Sequence, residues 1–177
     1  MKENDIKARG VDISSEMVDF CLDLGLDAVC ADALEYLKAL PDDSVWIISG
    51  FHIVEHLSFP LIEAYLFECY RVLQYHGIVI FETPNAGNVR VGSYNFYLDP
   101  SHDKPIHNKA LEFVAKNVGF YEVKTVYPLE TDASKYWDSI VRTDNPDVSQ
   151  STDIQAVAEI VKRNLYNSED YALIATK

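Results

Sequence analysis

Three side chains with acid–base chemistry lie close together in the segment HIVEH, residues 52–56. His52, Glu55 and His56 are three and four positions apart, so they share one face if the segment is helical. An imidazole titrates near neutral pH, which favours a general base at His56 and a catalytic or substrate-contacting carboxylate at Glu55. Imidazole and carboxylate groups also bind divalent metal ions. Because the segment can be a mere turn, we expect no metal ion, and a purely structural role is the remaining alternative.

Two acidic residues each close a predicted strand. Asp12 ends the first strand in RGVDISSEM, residues 9–17, and Asp32 ends the second in DAVCAD. In nucleotide-binding α/β folds, an acid at the carboxyl end of a strand accepts hydrogen bonds from the hydroxyls of a ribose. The alternative for both residues is a charge or cap at the start of the following helix.

A long loop, residues 84–107, is rich in Asn, Gly, Tyr, His and Pro. Loops of this length in a compact domain are usually functional or mobile. His102 and His107 lie in its last part, DPSHDKPIH. A functional loop and a surface loop packed on itself are both compatible with this composition.

Strands and helices alternate along the chain that carries these residues. The predicted strands are ARGVDI, DAVCAD, SVWIISG, IVIFET, YEVKTVYP and YALIATK, and helices lie between them, the last being IQAVAEIVKRNL. Alternation of this kind predicts an α/β domain with a mostly parallel sheet and helices on both faces. The continuously apolar strand SVWIISG predicts burial on both of its faces. We expect one domain, 1–177, with 84–107 and 129–152 as loops on the substrate side.

Composition excludes several classes of partner. The 177 residues carry a net charge of −13, which argues against binding to nucleic acid or to an anionic membrane. Three widely spaced cysteines predict neither a disulfide framework nor a zinc ribbon. The polar start MKENDIKARG is no signal peptide, and the longest apolar run, 45–51, is too short to span a membrane. We therefore expect a soluble cytoplasmic protein.

The succession GVDIS, CADALEYLKALPDDSV, HIVEHL and YRVLQYHGIVIFETPN resembles the class I S-adenosylmethionine-dependent methyltransferases. The resemblance covers roughly residues 6–128, and YALIATK fits the last strand of that family. The order and spacing of these segments, rather than any one of them, carry it. The loop NFYLDPSHDKPIH further resembles bacterial methyltransferases of surface-polysaccharide and lipopolysaccharide synthesis. The resemblance implies a Rossmann-like three-layer sandwich and S-adenosyl-L-methionine as the cofactor.

The resemblance also implies roles for individual residues. Asp12 would hold the ribose and Asp32 the adenine amino group, and the same cofactor pocket would include a further set of neighbours: Ile13, Ala33, Gly50 and Phe51. The 84–107 loop would cover the acceptor, with aromatic walls and polar contacts from Tyr94, Phe96, Tyr97, Asp99, His102 and His107. The implied reaction is transfer of the methyl group to an oxygen of a sugar, glycolipid or small-molecule acceptor, with His56 taking the proton.

One departure from the family pattern concerns the start of the chain. Members of the family begin with a strand and a glycine-rich turn about 20 residues before the ribose-binding acid, and counting back from Asp12 passes Met1. We therefore expect an N-terminally truncated form of the fold, in which the central strand of the order 3-2-1-4-5-7-6 is missing. The gap can be closed by its neighbours or filled by another chain, as in a homo-oligomer, or the sequence can be a copy of part of a longer protein. The functional alternative is a cofactor-poor protein with a binding role or no activity.

Overall fold

The computed structural model of the protein describes residues 7–127, 156–157, 161 and 168–177. Its strands are β1 (Gly10–Asp12), β2 (Ala28–Cys30), β3 (Val45–Phe51), β4 (Leu73–Pro84), β5 (Glu122–Val126) and β6 (Asp170–Thr176). Its helices are α1 (Ser15–Asp23), α2 (Ala33–Ala39), α3 (Phe59–Val72), α4 (Val89–Ser93) and α5 (Asn108–Val118), with 3-10 turns at Val54–His56 and Asn95–Leu98. The predicted alternation of strands and helices is confirmed.

Local capping sets most helix boundaries. Ser14 and Asp32 precede α1 and α2, and each side chain accepts a hydrogen bond from the backbone N–H three residues later, at 3.4 and 2.9 Å. Gly119 ends α5 with a φ of 127°, a conformation that favours glycine. The cap of α5 is His107, and Asn108 is the first residue of the helix.

The strands form two separate sheets in the described part of the chain. β1 and β2 make a parallel pair, and the other sheet has the order β3-β4-β6-β5. β3 and β4 are parallel, whereas β6 runs antiparallel to both of its neighbours. Because β6 is the one reversed strand of its sheet, β3, β4 and β5 point the same way, and their carboxyl ends lie at one edge.

The hydrophobic core lies around α3 and the middle strands. Leu66, Cys69 and Val72 of α3 are fully buried, and they pack in one cluster with Leu173 of β6 and Leu111 of α5. The three residues of α3 are three positions apart, and the buried Ile62 and Tyr65 continue the same helix face with spacings of three and four. This core fixes the ends of β3 and β4, from which the candidate site is built.

The predicted burial of β3 is wrong, and apolar residues of α1 are exposed as well. The apolar sequence of β3 predicts burial on both faces, but Trp46 and Ile47 are 61% and 60% exposed. The apolar face of α1 buries Val18, whereas Met17 and Leu22 are 55% and 50% exposed. The physical reason is the break between the sheets: among the described strands, β1 pairs with β2 and β3 pairs with β4, and none pairs with both β1 and β3.

Some expectations fall on other parts of the chain. The predicted 129–152 loop lies outside the described residues, and of the predicted helix IQAVAEIVKRNL only 156, 157 and 161 are described, all three as helical. Within the part that is described, no helix combines the length and the apolar character needed to cross a membrane.

Candidate functional site

The Glu55 carboxylate is fully buried at the end of β3. It lies in a 3-10 turn, and not in the helix that would have placed His52 and His56 on one face with it. Its Oε2 accepts a hydrogen bond from Thr83 Oγ1 of β4 at 2.8 Å, and its Oε1 lies 3.0 Å from His52 Nδ1. Its backbone carbonyl accepts from the N–H of Asp103 at 2.8 Å, so the turn is tied to both β4 and the long loop.

The rings of His56 and His102 come together although they are far apart in sequence, with centroids 4.8 Å apart. His56 Nδ1 lies 3.1 Å from the carbonyl oxygen of Ser101, and His102 Nδ1 lies 2.7 Å from that of Phe96. A carbonyl oxygen only accepts, so each Nδ1 carries the proton and each Nε2 presents a lone pair. One ligand atom each from Glu55, His56 and His102 lie within 4.8 Å of one another, a grouping that could hold a metal ion.

A serine that the sequence analysis did not single out orients His56. The Ser101 hydroxyl donates to Asp99 Oδ1 at 2.6 Å, and its backbone N–H donates to the same atom at 2.8 Å. These two hydrogen bonds from Ser101 lower the pKa of Asp99. Since the hydroxyl proton is used on Asp99, the Ser101 oxygen accepts from His56 Nδ1, 3.1 Å away. The sequence feature that could have indicated the role of Ser101 is the segment Asp99-Pro100-Ser101, because Asp followed by Pro and Ser is typical of a turn capped by the Asp side chain.

The aromatic part of the loop has one anchor and two exposed rings. Phe96 is buried and packs against the His102 ring, with centroids 4.4 Å apart. Tyr94 and Tyr97 are 63% and 64% exposed, so both rings are accessible to a ligand. Asp99 Oδ2 lies 3.8 Å from His102 Nε2, which adds a carboxylate to the same region.

His107 makes its side-chain contact away from this group. Its Nδ1 accepts a hydrogen bond from the N–H of Lys109 at 3.2 Å and thereby caps α5. The observed contact is structural, and a role in holding an acceptor stays a prediction.

Asp12 is the last residue of β1, as predicted, whereas β2 ends at Cys30 and Asp32 lies two residues later; both acids also make local contacts. Asp12 is exposed at the last position of β1, where its Oδ1 accepts from the N–H of Ser14 at 2.7 Å. Asp32 accepts from the N–H of Glu35 at 2.9 Å as the cap of α2. Each of these hydrogen bonds uses one oxygen of the carboxylate and does not involve the other. The helix-cap alternative and a ligand role are therefore compatible.

The other predicted pocket residues differ in exposure. Ile13 and Phe51 are 77% and 59% exposed, whereas Ala33 is partly buried and Gly50 is buried. A Cβ at Gly50 would lie 2.7 Å from the ring of Phe81, its partner in β4, so only glycine lets β3 pass this ring. The glycine therefore serves the packing of β3 against β4.

Asp170, at the start of β6, adds an unforeseen acidic group near this region. Burial raises its pKa above the ordinary 3.8, the charge of His52 opposes the rise, and Glu82 and Glu55 add to it. Only the tertiary structure reveals this, because Asp170 reaches the site through the antiparallel pairing of β6 with β4.

Comparisons with known proteins agree on one family. A sequence model described as a methyltransferase domain matches residues 1–81. None of the curated proteins is significantly similar in sequence. A crystal structure of an S-adenosylmethionine-dependent methyltransferase from Archaeoglobus fulgidus is 34% identical, with a TM-score of 0.84, over 99% of this chain and 78% of that one.

More distant structures share the fold. Phosphoethanolamine N-methyltransferase 2 of Haemonchus contortus, in complex with S-adenosyl-L-methionine, is 16% identical with a TM-score of 0.68, over 99% of this chain and 44% of that one. The cyclopropane synthase MmaA2 of Mycobacterium tuberculosis is 11% identical with a TM-score of 0.57, over 99% of this chain and 70% of that one. At these identities the likeness concerns the fold alone.

Proposed function

This chain belongs to the family of S-adenosyl-L-methionine-dependent methyltransferases, and from that premise we propose that it methylates an oxygen of a sugar, glycolipid or other small-molecule acceptor. The observation that carries the proposal is the grouping of Glu55, His56 and His102 at the end of β3. A base that is open to solvent beside exposed aromatic rings suits an acceptor that carries hydroxyl groups.

The cofactor is S-adenosyl-L-methionine, which supplies an electrophilic methyl group. The described residues fit its nucleoside part. Asp12 would bind the ribose hydroxyls through the carboxylate oxygen that Ser14 does not engage, and Asp32 would bind the adenine amino group. Gly50 lies at the end of β3 beside the Phe81 ring, and the remaining contacts with the cofactor would come from Gly50, Ile13, Ala33 and Phe51.

The acceptor would bind against the loop. The exposed rings of Tyr94 and Tyr97 suit the apolar faces of a sugar ring, while Asp99 and His102 can exchange hydrogen bonds with its hydroxyls. His107 would contact the far end of a larger acceptor. The net charge of −13 disfavours a polyanionic acceptor such as nucleic acid.

His56 would act as the general base. Its Nδ1–H donates to Ser101, so the Nε2 lone pair is free to take the acceptor proton as the new oxygen–methyl bond forms. The imidazolium that results is stabilised by the ionised Asp99 behind Ser101 and by the buried Glu55. General-base catalysis of this kind contributes about 10²–10⁴-fold to a rate.

The test follows transfer of a labelled methyl group from S-adenosyl-L-methionine to a panel of sugars, nucleotide sugars and lipid-linked sugars. We expect an O-methylated product, and His56→Ala should lower kcat by about 10²-fold or more. His76→Asn is the matched control, because His76 is exposed and has a φ of 66° that asparagine tolerates. Transfer to amines alone would refute the acceptor class, and full activity in His56→Ala would refute the base.

One observation favours the alternative of a non-catalytic protein. The described strands β1 and β3 share no hydrogen-bonded ladder, so the two parts of the cofactor pocket lack a common sheet. Calorimetry with S-adenosylhomocysteine separates the two functions. Absence of binding at about 10 mM ligand would favour the non-catalytic protein, because the free energy of binding would then be weaker than about −3 kcal/mol.

A further inference from the structure

We propose that Glu55, His56 and His102 form a binding site for one divalent transition-metal ion. The sequence offered a different trio, with His52 in place of His102, on a helix that does not form. The tertiary structure instead brings His102 from the long loop to within 4.8 Å of the other two ligand atoms. The inference rests on these contacts alone and goes beyond methyl transfer.

The tautomers of the two histidines leave one unprotonated nitrogen on each ring of the cluster. Nδ1 of each ring donates to a backbone carbonyl, so the atom that remains on each ring is an Nε2 lone pair. Glu55 adds a carboxylate with one hydrogen bond at each oxygen and lone pairs to spare. Ring nitrogens held by carbonyl oxygens on the far side are the usual arrangement of metal-binding histidines.

The strongest argument for a bound cation is that the carboxylate of Glu55 is fully buried. The carboxylate is 0% exposed, and its ion-pair partner among the described residues is His52, which is charged only when protonated. A buried carboxylate without a permanent positive partner is costly, and a divalent ion would offset that cost. The exposed His56 provides the entry path from solvent.

The donor set selects the class of ion. Two imidazoles and one carboxylate suit Zn²⁺ or Co²⁺, whereas Mg²⁺ and Ca²⁺ require oxygen ligands throughout. Ligand atoms around tetrahedral zinc are about 3.4 Å apart, as follows from bonds of about 2.1 Å. The ligand atoms of the trio lie within 4.8 Å of one another, so they must approach by up to about 1.4 Å on binding.

A bound ion and a proton would compete for His56. The metal uses the Nε2 lone pair that a general base needs, so the metal-loaded chain could not use His56 as the base. Metal binding is measured without cofactor or acceptor, and its failure would leave the methyl-transfer proposal standing. Failure of methyl transfer would equally leave the metal site standing.

The experiment is a titration of the chelator-treated protein with Zn²⁺ by calorimetry and with Co²⁺ by visible absorption. We expect one ion per chain with a dissociation constant of about 10 μM or tighter, and new Co²⁺ bands from nitrogen and oxygen ligands. Loss of a residue that only hydrogen-bonds to a metal ligand lowers metal affinity by about 10–100-fold. Loss of a ligand itself, in His56→Ala or His102→Ala, should therefore lower the affinity by about 100-fold or more. Glu55→Gln, which preserves side-chain volume, should also weaken binding while circular dichroism reports an intact fold.

Three outcomes would overturn the site. The first is no saturable binding of either ion. The second is equal loss in the control His76→Asn, which lies outside the trio and would indicate nonspecific binding. The third is binding that survives His102→Ala but disappears in His52→Ala, because the ligands would then be the local trio of the turn.

Discussion

The clearest test of the cofactor pocket is the loss of one carboxylate, in Asp12→Ala. Asp12 is exposed at the end of β1, and one of its oxygens already accepts from the N–H of Ser14 at 2.7 Å. The other oxygen is the one that we assign to the ribose. Replacement by alanine removes both contacts, so the effect on the ligand has to be separated from the effect on the turn.

The magnitude follows from the kind of hydrogen bond lost. A hydrogen bond to a charged group contributes about 1.5–3 kcal/mol, and because Asp12 is exposed we take the lower end, which is about tenfold in affinity. The starting affinity should itself be weak, with a dissociation constant of about 0.1 mM or higher. The reason is that the described β1 and β3 belong to different sheets and do not hold the two parts of the pocket together.

The assay is calorimetry or ligand-observed NMR with S-adenosylhomocysteine, with two further variants as controls. Asp12→Asn keeps an oxygen for the N–H of Ser14 and removes only the charge, so it should bind as weakly as Asp12→Ala. Asp27→Ala removes the same unit of charge from an exposed pair with Arg9 and should bind like the unaltered protein. Unchanged affinity in a folded Asp12→Ala would reduce Asp12 to a turn residue, and sub-micromolar binding by the unaltered chain would refute the expected weakness.

Three other predictions concern the rest of the described structure. Burial raises the pKa of Asp170, so the contribution of this carboxyl group to stability is complete below the unfolded value of 3.8 and is lost as pH rises through the folded pKa. Asp170→Asn should therefore raise Tm at about pH 7 and leave it unchanged at about pH 3. A lower Tm at about pH 7 would contradict this. Burial also raises the pKa of the Cys69 thiol, so a thiol reagent should modify the exposed Cys30 and the partly buried Cys21 first, and Cys69 only on unfolding. A fast phase that persists when Cys21→Ser and Cys30→Ser are combined would show the assignment to be wrong. Among the described strands, β3 has a hydrogen-bonded neighbour on one side only, so we expect self-association that is measurable by light scattering and relieved by Ile47→Lys. A monomer with rapid amide exchange along β3 would mean that an unpaired edge is tolerated.

Local signals in the sequence determined most of the secondary structure. Ser14 and Asp32 cap the helices that follow them, and Gly119 ends α5, because each interaction involves residues only a few positions apart. The position of Asp12 at the end of β1, and that of Asp32 between β2 and α2, follow from the same local pattern. The family was also predictable, since the order and spacing of its segments are properties of the chain alone.

The arrangement of the strands was only partly predictable. The parallel pairs and the reversed β6 agree with the predicted family fold, but the exposure of β3 does not follow from its apolar sequence. Burial depends on which strand lies alongside, and hydrophobic patterning does not specify a neighbour. For this reason Trp46 and Ile47 have the sequence signature of a core strand and yet lie at the surface.

The candidate site was decided by tertiary contacts. The sequence singled out Glu55 and His56 in one segment and His102 in another, yet it offered no means of knowing that the loop returns to the end of β3 and pairs the two imidazole rings. The role of Ser101 was equally unpredictable, because its hydrogen bond with His56 joins two segments that are remote along the chain. Residue types and local spacing are written in the sequence, whereas the meeting of remote side chains depends on how the loop packs against the sheet.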